Sequence, residues 1–397
     1  MTALNGVKVL DVASMMAGPY SATLLGDMGA DVIKLEPPNG DETRRFGPRT
    51  ATDSGVFVGV NRNKRSVSVD LRTPDGQQVL ERLVDWADIV VDNMRPKARL
   101  SLHLDYESLR ARNPRIISVS VSTYGSSGPY AGRPGIDPVA QALSGLMGVT
   151  GFGDTPPLKA GAPVGDAVAS LLAAFGAVTA LWARMSTGVG QQVDVALIDG
   201  LVHIQAPYTG QYFLLGTQQP RTGNSIGWDA PYNAYRCADD RFVHLACYND
   251  KFFRNLCMAM GTPELAEDER FRTNDARIAN REALDDVVAT FLADLPRSQA
   301  LETLWAHDVI VGPVNEYADV FADPQVIHNE MVVDVAHHSG PLRVTGVPVH
   351  LSDTPGSVRL PPPGLGEHTD EVLKELGLDP ELISRIHDGR IHDGRKQ

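Results

Sequence analysis

With 397 residues, 43% of them hydrophobic and 21% charged, the chain is long enough for two or three domains. It is also apolar enough to bury their cores without disulfides or structural metal. Lys plus Arg number 36 against 49 Asp plus Glu, a net charge of −13, which excludes the broad basic surface that nucleic acid or anionic lipid requires. An anionic ligand must meet a local cluster of bases. Cys237, Cys247 and Cys257 stand ten residues apart, giving neither a disulfide framework nor the paired spacing of a metal knuckle. Reduced thiols, a cytoplasmic setting and no metal site are expected. Residues 1–6 show no basic stretch leading into an apolar one, so no secretory signal is expected.

In chain order, short β-branched runs at 7–12, 31–35, 66–71, 89–92 and 115–122 alternate with amphipathic stretches at 20–28, 75–85 and 106–112. The alternation predicts an α/β fold with a doubly wound parallel sheet. Right-handed crossovers place ligands beyond the carboxyl ends of such strands, so the loops after Asp11, Glu36, Asp92 and Ser122 are expected to face a site. A Gly- and Pro-rich loop at 125–135 leads to a helix at 138–147. Residues 167–183 form an apolar, Ala-rich stretch slightly short of the roughly 20 residues of a bilayer helix, which predicts a buried core helix and no membrane partner. Residues 188–192 turn into a strand at 193–197.

Periodicity weakens at 205–227, which reads as a linker. It separates a first segment at 1–204 from a smaller α+β domain at 228–323, and residues 324–397 are expected to return to the larger domain. The tail repeats Ile-His-Asp-Gly-Arg at 386–390 and 391–395, two copies that read as a frayed end.

Three constellations carry possible chemistry. The first strand, a Gly18-Pro19 turn and Glu36 resemble half of a dinucleotide fingerprint, but residues 15–19 supply no GxGxxG. The run Asn61-Arg62-Asn63-Lys64-Arg65, with Arg95, Lys97 and Arg99 further on, suits a phosphate-bearing ligand or else a solvated loop. Asp166 stands between Gly165 and Ala167 before the Ala-rich stretch. It is either a helix N-cap or an exposed carboxylate that, ionised at its ordinary pKa near 3.9, acts as a nucleophile. No GxSxG, HExxH or P-loop pattern occurs.

A wider set of stretches carries a resemblance: GVKVLD at 6–11, AGP at 17–19, LGDMGADVIKLE at 25–36, NKRS at 63–66, DPVAQA at 137–142, TGVGQ at 187–191 and GEHT at 366–369. In this order they resemble the class III coenzyme A transferases, which include formyl-CoA, carnitine-CoA and bile-acid-CoA transferases. The resemblance implies a Rossmann-like CoA-binding domain built from both chain ends, a small α+β domain, and an interlocked homodimer. It implies an enzyme that moves CoA from an acyl thioester to a small carboxylic acid, with the thioester as substrate and no permanently bound cofactor.

Asp166 is the implied nucleophile. Attack on the thioester carbonyl gives a mixed anhydride and CoA thiolate, which then forms an aspartyl-CoA thioester and releases the donor acid. The acceptor carboxylate attacks that thioester, and the returning thiolate takes the new acyl group. The implied CoA contacts are Met16, Ala17, Val69, Asp70, Leu71, Arg72, Asn93, Met94, Arg95, Arg99, Ile136 and Asp137. Met16 stands where formyl-CoA transferase has Gln, and Ile136 where a Tyr often stands. Pro37 and Ser101 replace nucleotide-binding Arg residues, with Arg99 near enough to compensate. Met15 and Met16 suit an apolar acyl pocket. The alternative is a 2-methylacyl-CoA racemase-like enzyme, whose acid/base His would fall at Ile136.

Overall fold

The computed structural model describes residues 1–50 and 54–394, with side chains as far as His387. The chain divides into two compact units. The first comprises Met1–Leu146, Lys159–Gly216 and the residues from Pro324 onward; the second comprises Met147–Leu158 and Thr217–Asp323.

In the first unit, β1 (Lys8–Asp11), β2 (Asp31–Glu36), β3 (Arg65–Ser68), β4 (Ile89–Asp92), β5 (Ile117–Ser122) and β6 (Gln192–Ala196) form one parallel sheet. Its order is β3-β2-β1-β4-β5-β6, the doubly wound arrangement whose direction reverses between β1 and β4. The strands are nearly continuous apolar runs because both faces are covered. Alternate residues serve opposite cores: Val9, Val32, Ile89 and Val91 face one, Leu10, Ile33 and Val90 the other.

The first core is closed by the helices Ala17–Asp27, Asp137–Leu143, Val164–Thr187 and Leu197–Ile204. The second is closed by the helix Pro74–Trp86, which starts at a Thr73 cap accepting from the Gly76 amide at 3.1 Å, and by Val372, Leu373, Leu378, Leu382 and Ile383 from the end of the chain. A two-stranded antiparallel pair, β10 (Val332–His337) and β11 (Gly340–Thr345), also belongs to this unit. The second unit holds an antiparallel sheet of β7 (Tyr232–Arg236), β8 (Phe242–Ala246) and β9 (Ile310–Pro313), backed by helices around Phe253, Leu256, Leu284, Val288 and Leu304.

Three expectations change. Where periodicity weakens, Ala206–Leu215 is nevertheless a helix, and the chain enters the second unit at Thr217. The Ala-rich helix runs Val164–Thr187 and is buried along one face, through Ala169, Ser170, Ala173, Ala177 and Ala180. Its opposite face, Leu171, Phe175, Val178, Trp182 and Met185, is exposed, Met185 at 79%. Small residues let the helix lie close to the sheet while the large ones turn outward. The tail helix Pro380–Gly394 contains the backbone of the first Ile-His-Asp-Gly-Arg copy, and the end of the second copy lies outside the described residues.

The basic run at 61–65 is neither a solvated loop nor a phosphate cradle. Arg62 grips Asp27 through Nε at 3.0 Å and Nη2 at 2.6 Å, both side chains 1% exposed. Lys64 Nζ lies 2.8 Å from Asp11 Oδ2, and also donates to the Pro19 carbonyl at 2.7 Å. Burial brings the Lys64 pKa down to about 8 against the pull of Asp11. Arg65 pairs with Asp31 and Glu375. Charges this deep persist because each has a partner, and they underpin the loop after β1.

Candidate active site

A cavity of about 740 Å³ opens where the strand order reverses, lined by loops that follow β1, β4 and β5. Ser14, Met15, Met16 and Ala17 form one wall; Asn93, Met94, Arg95 and Arg99 a second; residues 121–126 a third; Ile136, Asp137, Lys159, Gly161, Pro163 and Asp166 lie on the remaining side, and Glu42 and Arg133 also reach the lining. Beyond the carboxyl ends of the strands at the switch point is where a doubly wound sheet leaves such room.

The loop after β1 is held in an unfavourable shape. Met15 has φ +68°, a left-handed conformation that costs a side-chain-bearing residue about 1–2 kcal/mol. Buried polar groups hold the turn on every side. Asp11 Oδ1 accepts the Ala13 amide at 3.0 Å and Lys34 Nζ donates to the Ala13 carbonyl at 3.0 Å. Asn93 accepts from the Ser14 amide at 3.0 Å and donates to its carbonyl at 2.6 Å. A Cβ on Gly18 would stand 2.4 Å from that of Ala13, so only glycine permits this closeness. The helix Ala17–Asp27 that follows has no side-chain cap and no acidic residue in its first turn. Its first amides and the positive end of its dipole are left to stabilise negative charge developing in the cavity.

Asp166 comes from the opposite side, as the third residue of Val164–Thr187. It is not the N-cap: Pro163 holds that position, with no side-chain cap. Among the described residues, the Asp166 carboxylate accepts no hydrogen bond. Its pKa is raised to about 6, first by burial and then by the charge of Asp137, so it does not keep an ordinary carboxylate's value. At neutral pH it is still largely ionised, and it is a more basic carboxylate than a solvated Asp. Ser170, fully buried one turn on, places its hydroxyl 2.7 Å from the Asp166 carbonyl and 2.9 Å from the Ala17 carbonyl. One hydroxyl thus ties the turn that carries Asp166 to the open helix start.

The raised pKa has two measurable consequences. A reaction that uses the Asp166 carboxylate as its attacking group should slow as pH falls through about 6, approaching a tenfold loss per unit below it. A pH–rate profile of the burst-phase release of the donor acid checks this. The folded state binds this proton more tightly than the unfolded one, so ionisation of Asp166 lowers stability above the folded pKa. Asp166→Asn should therefore melt higher than the parent at neutral pH, with the difference shrinking as pH drops from about 6 toward the ordinary carboxylate range. Calorimetry across that window tests the sign.

Asp137 is not a free carboxylate aimed at a ligand. Its Oδ1 accepts the Gly165 amide at 2.6 Å and its Oδ2 accepts the Gln141 side chain at 2.7 Å, while Gln141 Oε1 accepts the Ala160 amide at 2.9 Å. A Cβ on Gly165 would lie 2.7 Å from Asp137 Oδ1. The pair therefore fastens both ends of the loop that precedes Asp166.

The structure gathers Met16, Ala17, Asn93, Met94, Arg95, Arg99, Ile136, Asp137 and Asp166 around one cavity. Arg99, however, is turned inward: it pairs with Asp92 at 3.0 Å, donates to the Met94 carbonyl at 3.2 Å, and bonds Ser120. Arg95 is exposed and pairs with no carboxylate among the described residues. Val69, Asp70, Leu71 and Arg72 lie outside the lining. Val69 is buried in the core, and Arg72 bonds Asp70 at 2.7 Å. Among the described residues, no group of three or more His, Cys, Asp or Glu could hold a metal ion. Sequence reasoning missed Ser170 and Lys159. The placement of Ser170 four residues after Asp166 is the one signal that could have found it.

A family model described as CoA-transferase family III matches residues 4–369. The chain is 35% identical over 392 residues to succinyl-CoA–D-citramalate CoA-transferase of Chloroflexus aurantiacus, covering 98% of each. It is 37% identical over 383 residues to succinate–glutarate CoA-transferase of Agrobacterium fabrum, covering 94% of this chain and 95% of that one. Among solved structures, a CAIB/BAIF family protein from Brucella suis superposes with a TM-score of 0.88 at 38% identity, covering 94% of this chain and 99% of the other.

Proposed function

The chain belongs to CoA-transferase family III and is an enzyme that transfers CoA between an acyl thioester and a carboxylic acid, and from this premise we propose that Asp166 is the nucleophile that carries CoA between the two. The observation that carries this reading is a half-buried carboxylate, without a hydrogen bond of its own, facing the cavity at the switch point. Attack by Asp166 on the donor thioester forms a mixed anhydride and expels CoA thiolate. The thiolate attacks the aspartyl carbonyl, giving the aspartyl-CoA thioester and the free donor acid. The acceptor carboxylate then displaces the thiolate, which takes the new acyl group from the second anhydride and returns Asp166 as a carboxylate. Each tetrahedral oxyanion is served by the uncapped amides at Ala17 and Gly18.

CoA is proposed to lie along Met16, Ala17, Asn93, Met94 and Arg95, with Ile136 and Asp137 at the thiol end. Val69, Asp70, Leu71 and Arg72 extend its track beyond the cavity, since β3 ends on the same edge of the parallel sheet as β1 and β4. Arg99 supports that wall from behind. The racemase alternative needs a proton-transferring group at Ile136, and that side chain has none.

An interlocked homodimer is proposed on the apolar stripe Leu171, Phe175, Val178, Trp182 and Met185, together with Phe213 and Leu214, each 82% exposed. A stable folded monomer in sedimentation would refute it. Three free, buried cysteines support a cytoplasmic setting. The carboxylate mechanism is tested by borohydride and hydroxylamine trapping during turnover. A mass change on the peptide containing Asp166, dependent on acyl-CoA, is expected, and a change on any other peptide would move the assignment.

A further inference from the structure

Lys159 lines the same cavity as Asp166 and is exposed, and among the described residues its ammonium bonds only the neighbouring Ala160 carbonyl, at 3.1 Å. Among the described residues no carboxylate neutralises it. It stands one residue before the clamped Ala160 amide, and Asp166 stands one residue after the clamped Gly165 amide. Both amides bond side chains four apart on the helix Asp137–Leu143, whose Cβ atoms are about 5–6 Å apart. The two bonds fasten both ends of the loop between them, which places an unpaired cation and Asp166 in the lining of one cavity. Met15, Met16, Ile136, Pro163 and Leu197 give the same cavity an apolar lining that suits methylene groups.

We propose that Lys159 anchors the distal carboxylate of a dicarboxylic acid, so that the acid whose other carboxylate exchanges at Asp166 is a short diacid rather than a monoacid. This rests on the transfer reading above. The competing use of a free cation here is to hold a CoA phosphate. Arg95, exposed on the wall after β4, is better placed for that role, because it does not share the fastened loop with Asp166. A charge-assisted ammonium–carboxylate bond, which a monoacid of the same length cannot make, carries the discrimination between the two acids. No proton moves in this recognition, and the covalent steps are unchanged.

The experiment compares parent, Lys159→Gln and Lys159→Arg as purified full-length proteins, with butyryl-CoA as donor and glutarate or valerate as acceptor. In a ping-pong reaction kcat/KM for the acceptor does not depend on the donor, so the ratio of the glutarate to the valerate value isolates acceptor recognition. The ratio should fall by about tenfold or more in Lys159→Gln through KM for glutarate, and recover substantially in Lys159→Arg. An unchanged ratio in Lys159→Gln overturns the proposal. So does a weaker dissociation constant for free CoA with that ratio unchanged, which assigns Lys159 to the phosphates. Failure of the parent protein to move CoA to either acid from butyryl-CoA and also from a diacid thioester, glutaryl-CoA, would sink the transfer reading itself, and this proposal with it.

Discussion

Asp166→Ala should lower kcat for CoA transfer by at least about a thousandfold while free CoA binds within a few-fold of the parent. The reason is covalent. In the proposed mechanism every step of the exchange passes through the Asp166 carboxylate, and the nearby Asp137 is not available to replace it, being fastened to the Gly165 amide at 2.6 Å and to Gln141 at 2.7 Å. The CoA contacts proposed on the loops after β1 and β4 are untouched by the change. Asp166 contributes no hydrogen bond through its carboxylate among the described residues, so truncation should leave the fold intact and the loss is read as chemistry. Asp166→Asn separates charge from size: it should be equally inactive and, from the raised pKa near 6, more stable than the parent at neutral pH. Near-normal turnover in either variant would place the nucleophile elsewhere.

The largest effect on stability is expected at Arg62. Removing its side chain leaves Asp27, 1% exposed, with the Asn63 amide at 2.8 Å as its remaining hydrogen-bond donor, and uncompensated charge of this kind costs about 3–5 kcal/mol. Burial already holds the Asp27 pKa above its ordinary value against the opposing pull of Arg62. Without that guanidinium it should rise further, so Arg62→Ala should recover part of its deficit on acidification, as Asp27 takes a proton. Denaturant melts at mildly acidic and mildly alkaline pH test the direction. Arg62→Met combined with Asp27→Asn should be far less damaging than Arg62→Ala, since no buried charge remains. Additive losses would show that the pair is not coupled. Arg62 also donates to Thr345 Oγ1 at 3.3 Å, so the variant should loosen the docking of the returning chain end.

Much of the fold was legible because a parallel sheet covered on both faces leaves a strong pattern: short apolar runs alternating with amphipathic helices. The strand ends at Asp11, Asp92 and Ser122 were visible as the places to look, and the loops after them line the cavity. What pattern could not supply was the destination of charge. Asn61 to Lys64 read as a basic stretch of uncertain use, and partners from Asp11 and Asp27, far away in the chain, draw it into the core. The helix Ala206–Leu215 was hidden because none of its residues is buried and its apolar Phe213, Leu214 and Leu215 are exposed side by side, so no inward stripe repeats at helical spacing.

The sequence by itself determined the sheet, the switch-point loops and, through its resemblance to a family, the place of Asp166, since these follow from local periodicity and from motifs in order. Tertiary structure alone decided how Asp166 behaves. Its carboxyl is shifted by burial and by an Asp 29 positions earlier in the chain, its turn is tied to Ala17 through Ser170, and its loop is fastened by Asp137 and Gln141. Each of these is a contact between elements distant in sequence, and desolvation and hydrogen-bond geometry exist only once those elements are packed together.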